Sequence, residues 1–392
     1  MRNIVGPIAS KEDFFIRERE IRRIKQLLQA KANIQIAAPR RVGKSSILYY
    51  FLDNPDEGFI HLYIQVESAR SKNDYYRKLY KEIIKSDAVG EGKKLLEQLK
   101  NTTNSFLNRL KGIKIAGSAL DFDDSGEIDY EDELLNLLLG LDLGGDRLVL
   151  MIDEFPEVIL NIVEENNGEI IEAKKFLQSN RELRNNSKLI EKIQYIYTGS
   201  NSLNLTVGNL DSSSLINDLA SVPVHPLNQE QSSNLINSVL DTYHYRITNL
   251  RSNYIINKTE WAIPFYYQLV IQEIISDIEP HEEITEQVID KAFETVLEQR
   301  NDHLFEHYVK RLKRVFSEKE CQFIKIFLCH LCQHLTITKN QAINLAEGIL
   351  SDGETRKLLD SLKYDGYIIN QNDDKFKFNS PILRNWWKNH EC

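Results

Sequence analysis

Long apolar runs are missing: mean hydropathy is −0.40, and no segment approaches the roughly 20 apolar residues of a membrane-spanning helix. The opening Met1-Arg2-Asn3-Ile4-Val5-Gly6-Pro7 has no apolar centre of signal-peptide length, so the expectation is a cytoplasmic chain with no membrane partner. Cysteine is scarce, four in 392 residues, which fits a reducing compartment. A positive excess is absent too. The 49 Lys and Arg stand against 58 Asp and Glu for a net charge of −9, which argues against a protein whose main task is coating nucleic acid. What is present is the composition of a folded protein, 42% hydrophobic and 27% charged. The length exceeds the ~250–300 residues at which single cores stop growing, so three domains are expected.

The chain is organised around Ala38-Pro39-Arg40-Arg41-Val42-Gly43-Lys44-Ser45-Ser46. An apolar run, Ile34 to Ala37, feeds into it, and Ile47-Leu48-Tyr49-Tyr50-Phe51 follows as a helix. Strand, short loop and a helix opening on Gly-Lys-Ser is the layout of a phosphate-binding loop. Backbone N–H groups of Pro39-to-Ser46 type loops wrap phosphates, Lys44 reaches the outer ones, and the Ser45 hydroxyl takes Mg²⁺. Ala38 occupies the position where the pattern asks for glycine.

Arg147-Leu148-Val149-Leu150-Met151-Ile152-Asp153-Glu154 reads as a buried parallel strand ending in two carboxylates. In a phosphate-loop protein Asp153 would hold the Mg²⁺ shell, and Glu154 sits where a base orients the attacking water. A third strand, Lys192 to Tyr197, ends in Thr198-Gly199-Ser200. Thr198 and Ser200 are placed to feel a terminal phosphate, and either would also serve as a helix cap.

Between these motifs, Phe59 to Val66 reads as a strand and 73–86 as a helix, while residues 88–146 look like an insertion. Asp121 to Asp132 carries oxygens in calcium-loop order, but Gly112 to Ser118 before it alternates like a strand rather than an entering helix, which favours a solvated acidic turn. Helices are expected at 18–28, 170–184, 228–243, 261–276 and 286–300, and a last short strand of the core at 220–227. Ser317-Lys319-Glu320 belong to a capping box that opens a module of three helical stretches, 318–331, 339–349 and 353–364, and a hairpin at 367–378: a winged helix. Cys321, Cys329, His330, Cys332 and His334 hint at zinc, yet they lie on one helix beside Phe323 and Phe327, which suits core cysteines better.

Taken with Phe14-Phe15-Ile16-Arg17-Glu18, Ile152-Asp153-Glu154-Phe155-Pro156, Tyr197-Thr198-Gly199-Ser200, Pro264-Phe265-Tyr266-Tyr267-Gln268 and Asn379-Ser380-Pro381-Ile382-Leu383-Arg384-Asn385-Trp386-Trp387, the chain resembles the archaeal-ATPase-like, AAA-type proteins of the STAND group of phosphate-loop NTPases. The resemblance implies an α/β parallel-sheet ATPase core at 1–228, a helical lid at 229–300 and a C-terminal winged-helix domain at 301–392. It adds Arg17 and Pro264 to the nucleotide-binding residues, and ATP and Mg²⁺ as cofactors. It also implies service in signalling, mobile-element or antiviral-defence systems. Ile16, Ala38 and Ala262-Ile263 stand where the family favours glycine.

Arginines are missing where an AAA machine would use them. No Arg or Lys lies between Lys192 and Arg246, or between Lys258 and Lys291. An arginine finger contributes roughly 10³-fold or more in rate, so slow hydrolysis and a nucleotide-controlled switch are expected, with a protein partner or self-assembly. Arg181 and Arg184 would substitute only if the fold brought them to a neighbour's site. The alternative is a DNA-handling ATPase. The module from Ser317 to Cys392 carries ten basic and ten acidic residues, a poor phosphate-binding balance, and only Lys310-Arg311-Leu312-Lys313-Arg314 is densely basic.

Overall fold

The computed structural model describes residues 1–85, 113–116, 119–122, 128–199, 202–372 and 374–392. They divide into two compact units. One comprises Arg17–Ala37 and Lys44–Val224; the other comprises Met1–Ile16, Ala38–Gly43 and His225–Cys392.

In the first unit, α1 (Glu18–Gln29) leads to β1 (Asn33–Ala37) and α2 (Lys44–Asp53). Then come β2 (Phe59–Gln65), α3 (Lys72–Lys85), and an antiparallel pair, β3 (Ile113–Ala116) and β4 (Ala119–Phe122). After α4 (Tyr130–Gly140), β5 (Arg147–Asp153) runs into α5 (Phe155–Glu165). The unit closes with α6 (Ile171–Arg184), β6 (Ile193–Tyr197), α7 (Leu203–Gly208) and β7 (Leu219–Pro223). Five strands form one parallel sheet in the order β2-β5-β6-β1-β7. β5 is buried from Leu148 to Asp153 because the helical layers cover both faces, which is why its apolar run is unbroken. One face of the sheet is filled by an aromatic cluster in which Phe155 lies 4.5 Å from the Tyr197 ring and 5.7 Å from Tyr75.

The expected insertion contributes to this core. Leu134, Leu137 and Leu138 of α4 are fully buried, and Tyr130 packs its ring 5.5 Å from Tyr80 of α3. The acidic turn at 123–127 lies outside the described residues. A strand pair precedes it, as the alternation of 112–118 implies. α5 is one of the helices that sequence periodicity passes over: its first turn holds Pro156, which is harmless where the N–H has no helical partner.

The second unit contains α8 (Gln229–Thr242), α9 (Asn249–Thr259), α10 (Pro264–Asp277) and α11 (Glu286–Thr295) in the stretch expected to form a lid. α10 starts at Pro264 rather than at Trp261, because the residue before a proline is pushed to extended backbone; Ile263 has φ −110° and ψ 146°. α11 stops at Thr295, and a 3₁₀ turn covers Gln299–Leu304. The first residues dock here: Asn3 Nδ2 donates to the Gln268 carbonyl at 2.8 Å.

After α11 come α12 (Glu306–Val315), α13 (Glu318–His334), β8 (Ile337–Thr338), α14 (Lys339–Leu345), α15 (Asp352–Tyr364), β9 (Ile368–Asn372), β10 (Lys375–Phe378) and α16 (Pro381–His390). The Ser317 capping box forms. Three helices and a hairpin follow in the expected order, with β8 added as a third strand. Cys329 is joined to Cys392 by a disulfide, which the reducing-compartment reading does not anticipate, and the thiols of Cys321 and Cys332 face the Leu312 and Arg384 carbonyls. Among the described residues no group of three or more His, Cys, Asp or Glu is arranged to hold a metal ion, and no helix is long and apolar enough to cross a membrane.

Candidate functional site

Register places the chemistry. Ile152 of β5 pairs with Tyr197 of β6, and Tyr197 pairs with Gln35 of β1. Asp153, Thr198 and the exit of β1 therefore stand at the carboxyl ends of three adjacent strands, the edge where open α/β sheets bind ligands. Lys44 and Ser45 open α2 at that edge.

Asp153 is 3% exposed. Ser45 Oγ donates to its Oδ2 at 2.6 Å, Tyr63 Oη donates to the same oxygen at 2.9 Å, and the Glu154 N–H donates to Oδ1 at 3.1 Å. Burial, then the adjacent Glu154 charge, raise the Asp153 pKa, while the two hydroxyl donors and Lys44 pull it back. Asp153 is buried and Glu154 is half-buried beside it. Because the Ser45 proton is used on Asp153, the oxygen's lone pairs stay available to a metal ion.

Glu154 has φ 62° and ψ 34°, left-handed geometry that a non-glycine residue adopts at a cost of ~1–3 kcal/mol. It occupies the N-cap position of α5 without making a side-chain cap bond. Thr198 is 3% exposed; its N–H donates to the Ile152 carbonyl and its own carbonyl accepts from Phe155 N–H. Its hydroxyl finds no partner among the described residues, an orphaned buried polar atom at the end of β6. The helix cap that Thr198 was an alternative for is supplied by Ser202, which accepts from Leu205 N–H. Ser200 lies outside the described residues. Arg17, at the N-cap of α1, is 3% exposed, and burial lowers its pKa.

Gly199 explains the spacing between these groups. A Cβ there would sit 2.5 Å from Pro156 Cδ and 3.4 Å from Glu154 Oε2, so the β6 exit and the start of α5 touch through a bare backbone. Gly199→Ala is expected to lower the stability of this unit by about 1–3 kcal/mol through overpacking, read as an earlier chemical-denaturation midpoint; an unchanged midpoint contradicts the close approach.

In the other unit, Arg41 has φ 65° and Gly43 φ 99°, the left-handed turns that curl the loop. Ala38 is not among the positive-φ residues, and neither is Ile16, so neither position needs a glycine for its backbone conformation. The Arg41 guanidinium lies 4.8 Å over the Phe265 ring, next to Pro264, and donates to the Gly6 carbonyl at 3.3 Å. Gly366, at φ 79°, approaches so closely that a Cβ would meet Pro39 at 3.1 Å and Trp261 at 2.6 Å. Burial, then the charges of Arg40 and Arg41, push His307 down to about 3. Thus Arg41 packs on the first turn of α10 and Pro39 on the turn after α15, and the Arg40 and Arg41 charges reach His307 of α12.

Arg184 and Arg181 are spent internally. The Arg184 side chain is fully buried and forks onto both Asp218 oxygens at 3.0 and 2.9 Å, and Arg181 donates to the Ser214 carbonyl at 2.7 Å. The basic run of α12 is similarly divided: Arg311 is buried against Asp365 and Lys310 pairs with Glu306, while Lys313 and Arg314 are exposed.

No protein-family model and no curated protein matches the sequence. Solved structures do. The Walker-type ATPase PABY2304 of Pyrococcus abyssi aligns over 98% of this chain and 99% of its own, with TM-score 0.68 and 15% identity. The fold is that of AAA-type P-loop ATPases. The Aeropyrum pernix ORC2 protein, solved in ADPNP-ADP complexes, aligns over 97% and 96% with TM-score 0.55 and 11% identity.

Sequence reasoning missed Tyr63 altogether. A tyrosine in a strand is ordinary, and nothing local marks its hydroxyl as facing a carboxylate on the neighbouring strand.

Proposed function

We propose that the chain binds ATP with Mg²⁺ and hydrolyses it slowly, as a nucleotide-controlled switch. The observation that carries this reading is the Ser45 Oγ to Asp153 Oδ2 hydrogen bond of 2.6 Å, with the orphaned Thr198 hydroxyl one strand away. By the sequence motif, the Pro39–Ser46 loop would wrap the phosphates, and Ser45 and Asp153 would hold Mg²⁺. When bound, the metal neutralises charge that develops on the transferring phosphoryl group. Glu154 orients a water and accepts its proton, and Thr198 and Ser200 register the terminal phosphate. Arg17 and Pro264 join the nucleotide-binding set through family resemblance alone.

Slow turnover follows from what the arginines do. Residues 193–245 and 259–290 contain none, and the buried bidentate pair of Arg184 with Asp218 costs too much to break during catalysis. The switch follows from the loop's own neighbours: any change in Pro39 or Arg41 on nucleotide binding is felt directly by Phe265, Trp261 and Gly366. This behaviour suits signalling or defence systems of the STAND kind, with the C-terminal winged-helix module exposing a surface to a protein partner or to another copy. A DNA-handling role draws on Lys313 and Arg314 alone.

Purified protein is expected to bind ATP in the presence of Mg²⁺ and turn it over on the order of 10⁻² s⁻¹ or slower, the range of phosphate-loop proteins without an external arginine. Turnover above about 1 s⁻¹ without any partner would sink the switch. Salt-sensitive DNA binding lost on charge reversal at Lys313 and Arg314 would replace it with the DNA-handling reading.

A further inference from the structure

The Asp153 carboxylate receives an unexpected donor. Tyr63 sits on β2, in register with Met151, and Gln65 is in register with Asp153, so Tyr63 and Asp153 share one face of the sheet. Its ring packs 4.8 Å from the Tyr49 ring of α2, and its hydroxyl reaches Asp153 Oδ2 at 2.9 Å. Ser45 and Tyr49 are one helical turn apart, so the helix that presents the metal-binding hydroxyl also presents the ring against which Tyr63 leans.

We propose that Tyr63 is a positioning residue for the metal-holding carboxylate, fixing the orientation of Asp153 and so the Mg²⁺ demand of the nucleotide site. This rests on the ATP·Mg²⁺ reading above. A lysine in this place would satisfy the carboxylate but repel a divalent cation; a phenol donates without adding charge. With Tyr63 and Ser45 on Oδ2 and Glu154 N–H on Oδ1, the carboxylate plane is held from both sides.

The test is Tyr63→Phe, which keeps the ring and removes the donor. A fluorescent ATP analogue is titrated against wild type and variant, in EDTA and across a Mg²⁺ series, with circular dichroism to verify folding. The Mg²⁺ midpoint is expected to rise about 10-fold, the lower end of the effect of removing such an outer partner, while affinity in EDTA stays within about twofold. An unchanged midpoint overturns the proposal, and so does an equal loss of affinity in EDTA, which marks a purely structural role. If wild type itself shows no Mg²⁺-dependent nucleotide binding, the nucleotide reading fails and takes this one with it; that failure is visible before the variant is measured.

Discussion

Glu154→Gln is expected to lower ATP turnover by about 10²–10⁴-fold, the usual contribution of a positioned proton acceptor, and to leave ATP affinity within a few-fold of wild type. The glutamine keeps the size and the hydrogen-bonding reach of the side chain but cannot take the proton of an attacking water. The left-handed backbone at this position is set by the β5-to-α5 turn and by Gly199 lying against Pro156, so the substitution leaves it in place. Neutralising residue 154 also removes the like charge that raises the Asp153 pKa, so Mg²⁺-dependent nucleotide retention is expected to hold or improve. Because wild-type turnover is slow, single-turnover hydrolysis of radiolabelled ATP is the measurement, alongside the lifetime of bound ATP. Turnover within about fivefold of wild type would remove Glu154 from the base role. A variant that holds neither ATP nor a partner longer than wild type would defeat the switch.

How much of this was legible beforehand depends on whether the signal was local. The phosphate loop, the β5 run and its two acids are contiguous strings whose residue types are dictated by a buried strand and a helix start, and they lie where the string implies. Ser317 and Glu320 signal their helix in the same local way. α9 was illegible because Asn249 to Thr259 is mostly polar and its apolar face is narrow; Thr248 as its cap is a weak sign on its own. Tyr63, Gly199 and Gly366 matter through approaches between segments far apart in the chain, and no periodicity encodes those. The same holds for Arg184 and Arg311, whose sequence contexts look like solvated helix faces and whose partners, Asp218 and Asp365, are 34 and 54 residues away.

Arg311→Met is expected to destabilise the unit that holds α8 to α16 by about 3–5 kcal/mol, because it removes the guanidinium paired with the buried Asp365 carboxylate. The two side chains are 3% and 0% exposed, so water offers no substitute. Asp365→Asn is expected to cost a similar amount by stranding the guanidinium. The double variant is expected to lose clearly less than the sum of the two, with a coupling energy of about 2 kcal/mol or more, since neither charge is then left behind. All three tryptophans of the chain, Trp261, Trp386 and Trp387, belong to this unit, so urea unfolding followed by their fluorescence reports it selectively. A loss of 3–5 kcal/mol moves the midpoint down by about 1–3 M urea. The pair also bears on the switch. Asp365 immediately precedes Gly366, whose backbone approaches Pro39, and Tyr367 donates to the Tyr308 carbonyl at 2.7 Å, so the turn is tied to α12 on either side of the contact with the loop. Freeing one tie should alter ATP affinity below the unfolding transition, by more than Asp302→Ala, which removes the acceptor of Trp386 Nε1 in the same unit without touching that turn. Additive single effects, or equal changes in ATP affinity from both sites, would show that the Arg311–Asp365 pair stabilises the module without connecting it to the loop.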